Sequence, residues 1–228
     1  GTSVTGSGDH PLSEPEIDAL VRAIVARRNI CGYNAYHTSG GVLLRPSSTQ
    51  PDSSLPPADV WAWKHLGEKG AALSGYTVHS VYEDFTFDRS DTMSGAADDW
   101  VYEHLGIIGW TTEFWDVIQQ ATGTKGGNHI WYVGPTTDEE VAVFFFKDTA
   151  TTEIYTDWTP DEEVAVYRWA LANHPETYAD WTPFDHPQLG AIEIGGWNEV
   201  FLWSNAPGSR LLDEVRPHAE FAVYQAMT

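Results

Sequence analysis

Apolar and polar residues alternate along the chain with two different periods, and the changes of period mark its elements. Ile17, Leu20, Val21, Ile24 and Val25 recur at helical spacing behind Ser13-Glu14-Pro15-Glu16. That tetrad reads as a capping box with Pro in the first turn, and Arg27 and Arg28 suit the dipole at the other end. The pattern predicts a helix with one buried face. Its exit feeds an apolar run of strand character that ends at His37, then a Ser39-Gly40-Gly41 turn and a second strand over 42–44. Residues 46–57, rich in Pro and Ser, read as an exposed loop, 59–73 as a second helix and 76–82 as a strand. The polar stretch 83–95 suits a loop that moves over a site. Residues 96–105 read as a helix closed by Gly106 at the C′ position. The most strand-like run left, 107–114, carries Glu113 inside it.

A carboxylate in an apolar strand is costly unless something compensates it. Glu113 therefore either faces solvent at a sheet edge or has a chemical task. His37 poses a similar choice: open α/β sheets place ligands at the C-terminal ends of strands, and a strand-end His can equally be structural. Further on, 181–190 is turn-rich, 191–194 predicts a short strand ending at Gly195-Gly196-Trp197, and 211–226 predicts a last helix with Leu212, Val215, Phe221 and Ala222 inward. Helices interleaved with strands predict an α/β fold, a mixed and mostly parallel β-sheet flanked by helices.

Two segments, 138–160 and 161–183, form a tandem pair. Both open Asp-Glu-Glu-Val-Ala-Val and both close Asp-Trp-Thr-Pro. The second has a believable helix, with Val164, Trp169 and Leu171 among good helix formers and Pro175 as its stop. The first carries a Phe triplet and a Thr-rich tract without amphipathic period. Two copies do not make a solenoid. The expectation is one catalytic-type domain over 1–228 in which 144–166 is an insertion or duplication, with 144–156 resembling translated sequencing-adapter read-through. A real duplication that has diverged is the alternative.

Composition narrows the partners. The 228 residues carry 33 acids against 12 Lys and Arg, a net charge of −21, so nucleic acid and anionic membranes are not expected partners. Thirteen per cent aromatic residues, with eleven Trp, suit a folded core and not a disordered chain. The single cysteine, Cys31, excludes an internal disulfide and is expected to be buried in its strand. No apolar run approaches a membrane span and no signal-type leader opens the chain, so a soluble protein is expected, secreted or cytoplasmic. Gly1 stands where Met would, so the natural start is expected to lie upstream.

Several landmarks, in order, resemble the zinc metallocarboxypeptidases of the carboxypeptidase A/B type. Residues 7–16 resemble the segment before the helix that precedes that family's later zinc-binding His. Tyr36-His37-Thr38-Ser39-Gly40 resembles the His motif and its turn. Gly95-Ala96-Ala97-Asp98-Asp99-Trp100-Val101-Tyr102 resembles the family's Gly-Ser-Asp-Asp-Trp-x-Tyr, and Glu113 falls thirteen residues after Trp100, the family's spacing to its catalytic glutamate. The resemblance implies one Zn2+ ion with His37 as a ligand and Glu113 as general base. It further implies Thr38 and Asp98 as substrate-binding residues and a peptide or protein C-terminus as substrate. An acid at the Asp98 position goes with preference for C-terminal Lys or Arg; a first-turn helix acid is the competing reading. The family's other two ligands form an upstream His-x-x-Glu, followed by the Arg and Asn-Arg that hold the substrate carboxylate. None of the residues before His37 supplies them, and His65-Leu66-Gly67-Glu68, the sole such pair, lies downstream in the wrong order. The ligand set is incomplete, and the chain is expected to be an N-terminally truncated, inactive part of a carboxypeptidase-like domain. Two alternatives stay open, a carboxypeptidase-like binding module without catalysis and a related zinc amidase or deacylase. Asp185-His186-Pro187 and His218 are expected to be structural or exposed.

Overall fold

A computed structural model describes residues 8–86, 92–123, 131–136, 140–146, 155–157, 160–198, 202 and 204–228. Its centre is a four-stranded sheet built from β1 (Gly32–Thr38), β2 (Val42–Arg45), β3 (Thr77–Ser80) and β4 (Ile108–Phe114), in the order β1-β4-β2-β3. β1 runs parallel to β4 and β2 parallel to β3, while β2 and β4 are antiparallel. Consecutive β1 and β2 are thus separated by β4, and the glycine turn at 39–41 crosses over the end of β4.

Helices cover both faces, as buried mixed sheets require. On one side lie α2 (Pro57–Ser74) and α6 (Leu211–Met227), whose Trp63, Leu66 and Phe221 pack with Leu43, Tyr76 and Trp110. On the other, Ile24 of α1 (Pro15–Val25) meets Val101 of α3 (Ala97–Leu105) and Ile107. The α3 helix ends as its sequence demands, at Gly106 in the left-handed region with φ 69°. Past β4, Trp115, Val117 and Ile118 of α4 (Val117–Thr122), Val166 and Ala170 of α5 (Pro160–Asn173), and Leu202 build a second apolar cluster. The strands β5 (Trp131–Thr136), β6 (Glu140–Phe146) and β7 (Tyr155–Asp157) form an antiparallel sheet, and β8 (Tyr178–His186) pairs with β9 (Gly190–Trp197) in a hairpin. The predicted mixed, mostly parallel α/β architecture is present.

Several local expectations change. α1 spans the predicted residues, but its N-cap is Glu14 without a side-chain cap, and the Ser13 hydroxyl donates to the Glu14 carboxylate instead. Ile24 alone on α1 is buried, because only the C-terminal end of the helix docks; Ile17, Leu20 and Val25 are about half exposed. Cys31 is exposed, since it precedes β1 at the sheet margin and lies outside the core. The Pro- and Ser-rich stretch after β2 is buried over its first residues, where the Ser48 amide donates to both carboxylate oxygens of Asp99 at 3.1 and 3.0 Å. Arg45 grips Asp52 through both ends of its guanidinium at 2.7 and 2.8 Å. α6 turns His218, Phe221 and Gln225 inward, leaving Leu212 and Val215 exposed. Gln225 dictates that rotation, donating to the Ile108 carbonyl at 2.9 Å while its own carbonyl accepts from Asn34 at 3.3 Å. In α5 the inward residues are Val166 and Ala170, and Val164 and Leu171 are exposed. The stretch read as turns at 181–190 is mostly strand β8. Of the polar stretch 83–95, residues 83–85 belong to a π-helical turn, Val81–Phe85, in which Glu83 accepts from the Asp52 amide, and 87–91 lie outside the described residues. Most of 147–159, within the proposed insertion, also lies outside them.

Candidate functional site

The parallel pairing of β1 with β4 places His37 directly opposite Glu113, and the antiparallel pairing on the other edge of β4 places Val42 there too. Residues paired in this way project from the same face of a sheet, because side chains alternate with period two. The imidazole and the carboxylate therefore leave the sheet side by side at the C-terminal ends of their strands. His37 is exposed, whereas Val42 is fully buried and walls the other flank of Glu113.

Burial is what tunes Glu113. It sits in the central strand, with no hydrogen-bond partner among the described residues, and the loss of solvent pushes its carboxyl up to about 7. A carboxyl poised there can accept and return a proton at neutral pH.

Asp98 belongs to the same face. Gly109 of β4 leaves room for the first turn of α3: a Cβ at Gly109 would lie 2.8 Å from the Asp98 carbonyl and 3.0 Å from its Cα. Asp98 is 1 % exposed, and one of its carboxylate oxygens, Oδ2, has no partner among the described residues. Burial first, then the neighbouring Asp99 charge, lifts it to about 6, against the hydrogen bond from Thr111 that favours ionisation. Gly109, Thr111 and Glu113 follow one another on that face, so Asp98 and Glu113 mark two ends of a lane whose Thr111-to-Glu113 step is roughly 6.6 Å.

Thr38 is set apart. It pairs with Phe114, so alternation sends its side chain to the face opposite Glu113 and His37. The His65 and Glu68 side chains are exposed on α2, which packs on the opposite face of the sheet, with His65 stacked on Trp61 at 5.1 Å.

A catalytic zinc ion takes three protein ligands and keeps a fourth position for water. Among the described residues no group of three or more His, Cys, Asp or Glu side chains converges to hold a metal. Among the described residues His37 is one donor without two companions, so the described residues do not by themselves make up a zinc site.

A family model described as zinc carboxypeptidase matches residues 2–124, more than half of the chain. The chain belongs to the zinc carboxypeptidase family. No curated protein matches it. Among solved structures, thrombin activatable fibrinolysis inhibitor is 23% identical with a TM-score of 0.35, over 48% of this chain and 27% of that one. The chain thus spans about a quarter of the length of that solved protein. The four residues to which the resemblance gives roles, His37, Thr38, Asp98 and Glu113, fall within the matched span. No helix among the described residues is long and apolar enough to cross a membrane.

Residues that the sequence did not flag surround the strand end of this zinc carboxypeptidase family member. Tyr76 and Glu214 contact the backbone just beyond Glu113, and Asp116 caps α4 by accepting from the Gln119 amide at 2.8 Å. Burial chiefly, with some help from Glu214, raises Asp116 to about 7. Glu214 looks in sequence like an ordinary first-turn helix acid, and nothing local distinguishes it.

Proposed function

We propose that this chain is part of a zinc-dependent metallocarboxypeptidase that releases the C-terminal residue of peptides or proteins. In this reading Glu113 is the general base, taking a proton from the attacking water and returning it to the leaving amine. His37 is the zinc-ligating imidazole in this reading, in a ligand set that the described residues do not complete. Asp98 lies at the floor of the side-chain pocket and favours a terminal Lys or Arg, its unpartnered oxygen being the complement a cation needs. Thr38 does not enter, because its side chain projects from the other face. Residues 144–166 are read as an insertion or duplication within the domain.

The observation that carries the reading is the register match of His37 with Glu113, joined to a carboxyl raised by burial to about 7. The test is release of terminal residues from peptides ending in Lys, Arg or Leu by the protein encoded by the complete natural reading frame. Expected are zinc-dependent release, preference for the basic termini, and a fall in kcat of about 10²–10⁴-fold in Glu113→Gln. Release indifferent to Glu113→Gln overturns the reading. The 228-residue chain alone is expected to show neither hydrolysis nor saturable zinc uptake at micromolar metal in calorimetry.

A further inference from the structure

The turn after His37 and the bend after Glu113 are fastened to each other. Where residues 39–41 cross the end of β4, the Gly40 amide donates to the Trp115 carbonyl at 3.1 Å. Gly41, with φ 67°, approaches so closely that a Cβ there would stand 2.9 Å from the Asp116 Cβ. Trp115 itself occupies the left-handed region at φ 67°. For a residue with a side chain that conformation costs roughly 1–2 kcal/mol and persists only when the surroundings hold it.

The holding groups are visible. The Trp115 amide donates to the Tyr76 hydroxyl at 3.0 Å and to Glu214 Oε1 at 3.2 Å, and the Tyr76 hydroxyl donates to the same Oε1. The indole is buried and donates to the Leu202 carbonyl at 2.8 Å. Tyr76 stands just before β3 and Glu214 in the first turn of α6, so two parts of the chain distant in sequence converge on one peptide group. Two neighbouring groups are engaged elsewhere or unsuited to accept from this amide. The Asp116 carboxylate is committed to the Gln119 amide, and the His218 ring packs on Tyr76 and Phe114 with its Nδ1 unpartnered.

We infer that Tyr76 and Glu214 are positioning residues for Glu113. By accepting from the amide of left-handed Trp115 they lock the end of β4 beneath the His37 turn, and so hold the half-buried Glu113 carboxylate in place on the face it shares with His37. The inference rests on the role proposed for Glu113 above. Without its acceptors Trp115 relaxes out of the left-handed region. Rotation there, two residues from Glu113, loosens the strand end and admits water.

The experiment is amide hydrogen exchange of residues 113–116, read by NMR in the 228-residue chain, beside kcat and KM of the complete protein. In Tyr76→Phe and Glu214→Ala the Trp115 amide is expected to exchange roughly tenfold faster while the amides in the middle of β4 keep their protection, and kcat is expected to fall with KM unchanged. In Glu214→Gln, whose amide oxygen still accepts from Tyr76 and Trp115, both are expected to stay in place. A merely structural loss speeds exchange throughout the sheet and is not rescued by Gln. Identical Trp115 exchange in all folded variants overturns the inference, as does faster exchange with an unchanged kcat. If Glu214→Ala does not fold, Tyr76→Phe, which deletes a single oxygen, decides. Unmoved exchange refutes the positioning role and leaves the peptidase reading standing. Faster Trp115 exchange without peptidase activity in the complete protein, variant or not, refutes only the peptidase reading.

Discussion

On one face of β4, Trp110 and Phe114 press against α6, with Trp110 meeting the Phe221 ring edge-on at 5.5 Å and Phe114 meeting His218 at 4.7 Å, and Thr112 is buried between them in the strand. On the other, Gly109, Thr111 and Glu113 look toward α3 and the His37 turn, beside the buried acids Asp98 and Asp99. The first face spends its positions on volume, and its titratable group, His218, is driven toward the neutral form by burial, down to about 4. The second gives up volume at Gly109 to admit a helix and keeps Glu113 protonated toward about 7 by the same loss of solvent. One strand therefore packs for volume on one side and carries a carboxyl raised by burial on the other, the group proposed above as general base. The physical cause of both shifts is desolvation, which always favours the uncharged form.

Trp110→Ala offers the largest break in that contrast. It empties a site that is 0% exposed and should cost about 3–5 kcal/mol, read as a lower midpoint in urea unfolding at constant slope. A cost below about 1 kcal/mol would mean that the α6 face is not the stability-bearing one.

The pH dependence sharpens the comparison, because the two faces respond with opposite sign. Glu113 is raised from 4.5 to about 7, so its contribution to stability is present below pH 4.5 and is lost as pH rises through 7. His218 is lowered from 6.5 to about 4, so its contribution is present above pH 6.5 and is lost as pH falls through 4. Glu113→Gln should therefore stabilise the chain at pH 8 by on the order of 2–3 kcal/mol, with no gain at pH 4. His218→Phe, which keeps a ring between Tyr76 and Phe114, should remove the loss on the acid side only. Denaturant titrations at a series of pH values read both, and equal slopes for wild type and Glu113→Gln between pH 5 and 7 would contradict the burial of this carboxyl.

The smallest effect is expected at Gly109→Ala, about 1–2 kcal/mol, because the new methyl meets the backbone of Asp98, which yields less readily than a side-chain tip. Its signature should be local. The Asp98 titration should move away from about 6 while the packing of Trp110 on Phe221 persists, which near-ultraviolet circular dichroism of the Trp band can follow.

Much of the central sheet was legible in the chain because its signals are local. The apolar run into His37, the glycine turn, the fully buried β2, the helix closed by Gly106 and the strand bearing Glu113 each announce themselves within a few residues. Orientation was less legible. The periodicity of α1 marks five apolar positions, yet only Ile24 finds a partner, and α6 turns on Gln225 and not on its more apolar Leu212 and Val215. A hydrogen bond from a glutamine to the end of a remote strand leaves no trace in a hydropathy pattern. The same holds for β8, whose Pro- and Asp-rich sequence reads as turns and is held extended by β9.

For the site, the sequence by itself determined the chemical inventory: a strand-end imidazole, a carboxylate embedded in an apolar strand, an Asp-Asp-Trp segment and the membership of the zinc carboxypeptidase family that these landmarks share. Only the tertiary structure decided which of them meet. Sheet order inserts β4 between β1 and β2, and register then sets His37 against Glu113 and sends Thr38 to the other face. It also buries Asp98 beneath Gly109 and brings Tyr76 and Glu214 to the Trp115 amide, two residues past Glu113. Residue types and short spacings are written locally, whereas strand order, register and desolvation depend on contacts between segments distant along the chain.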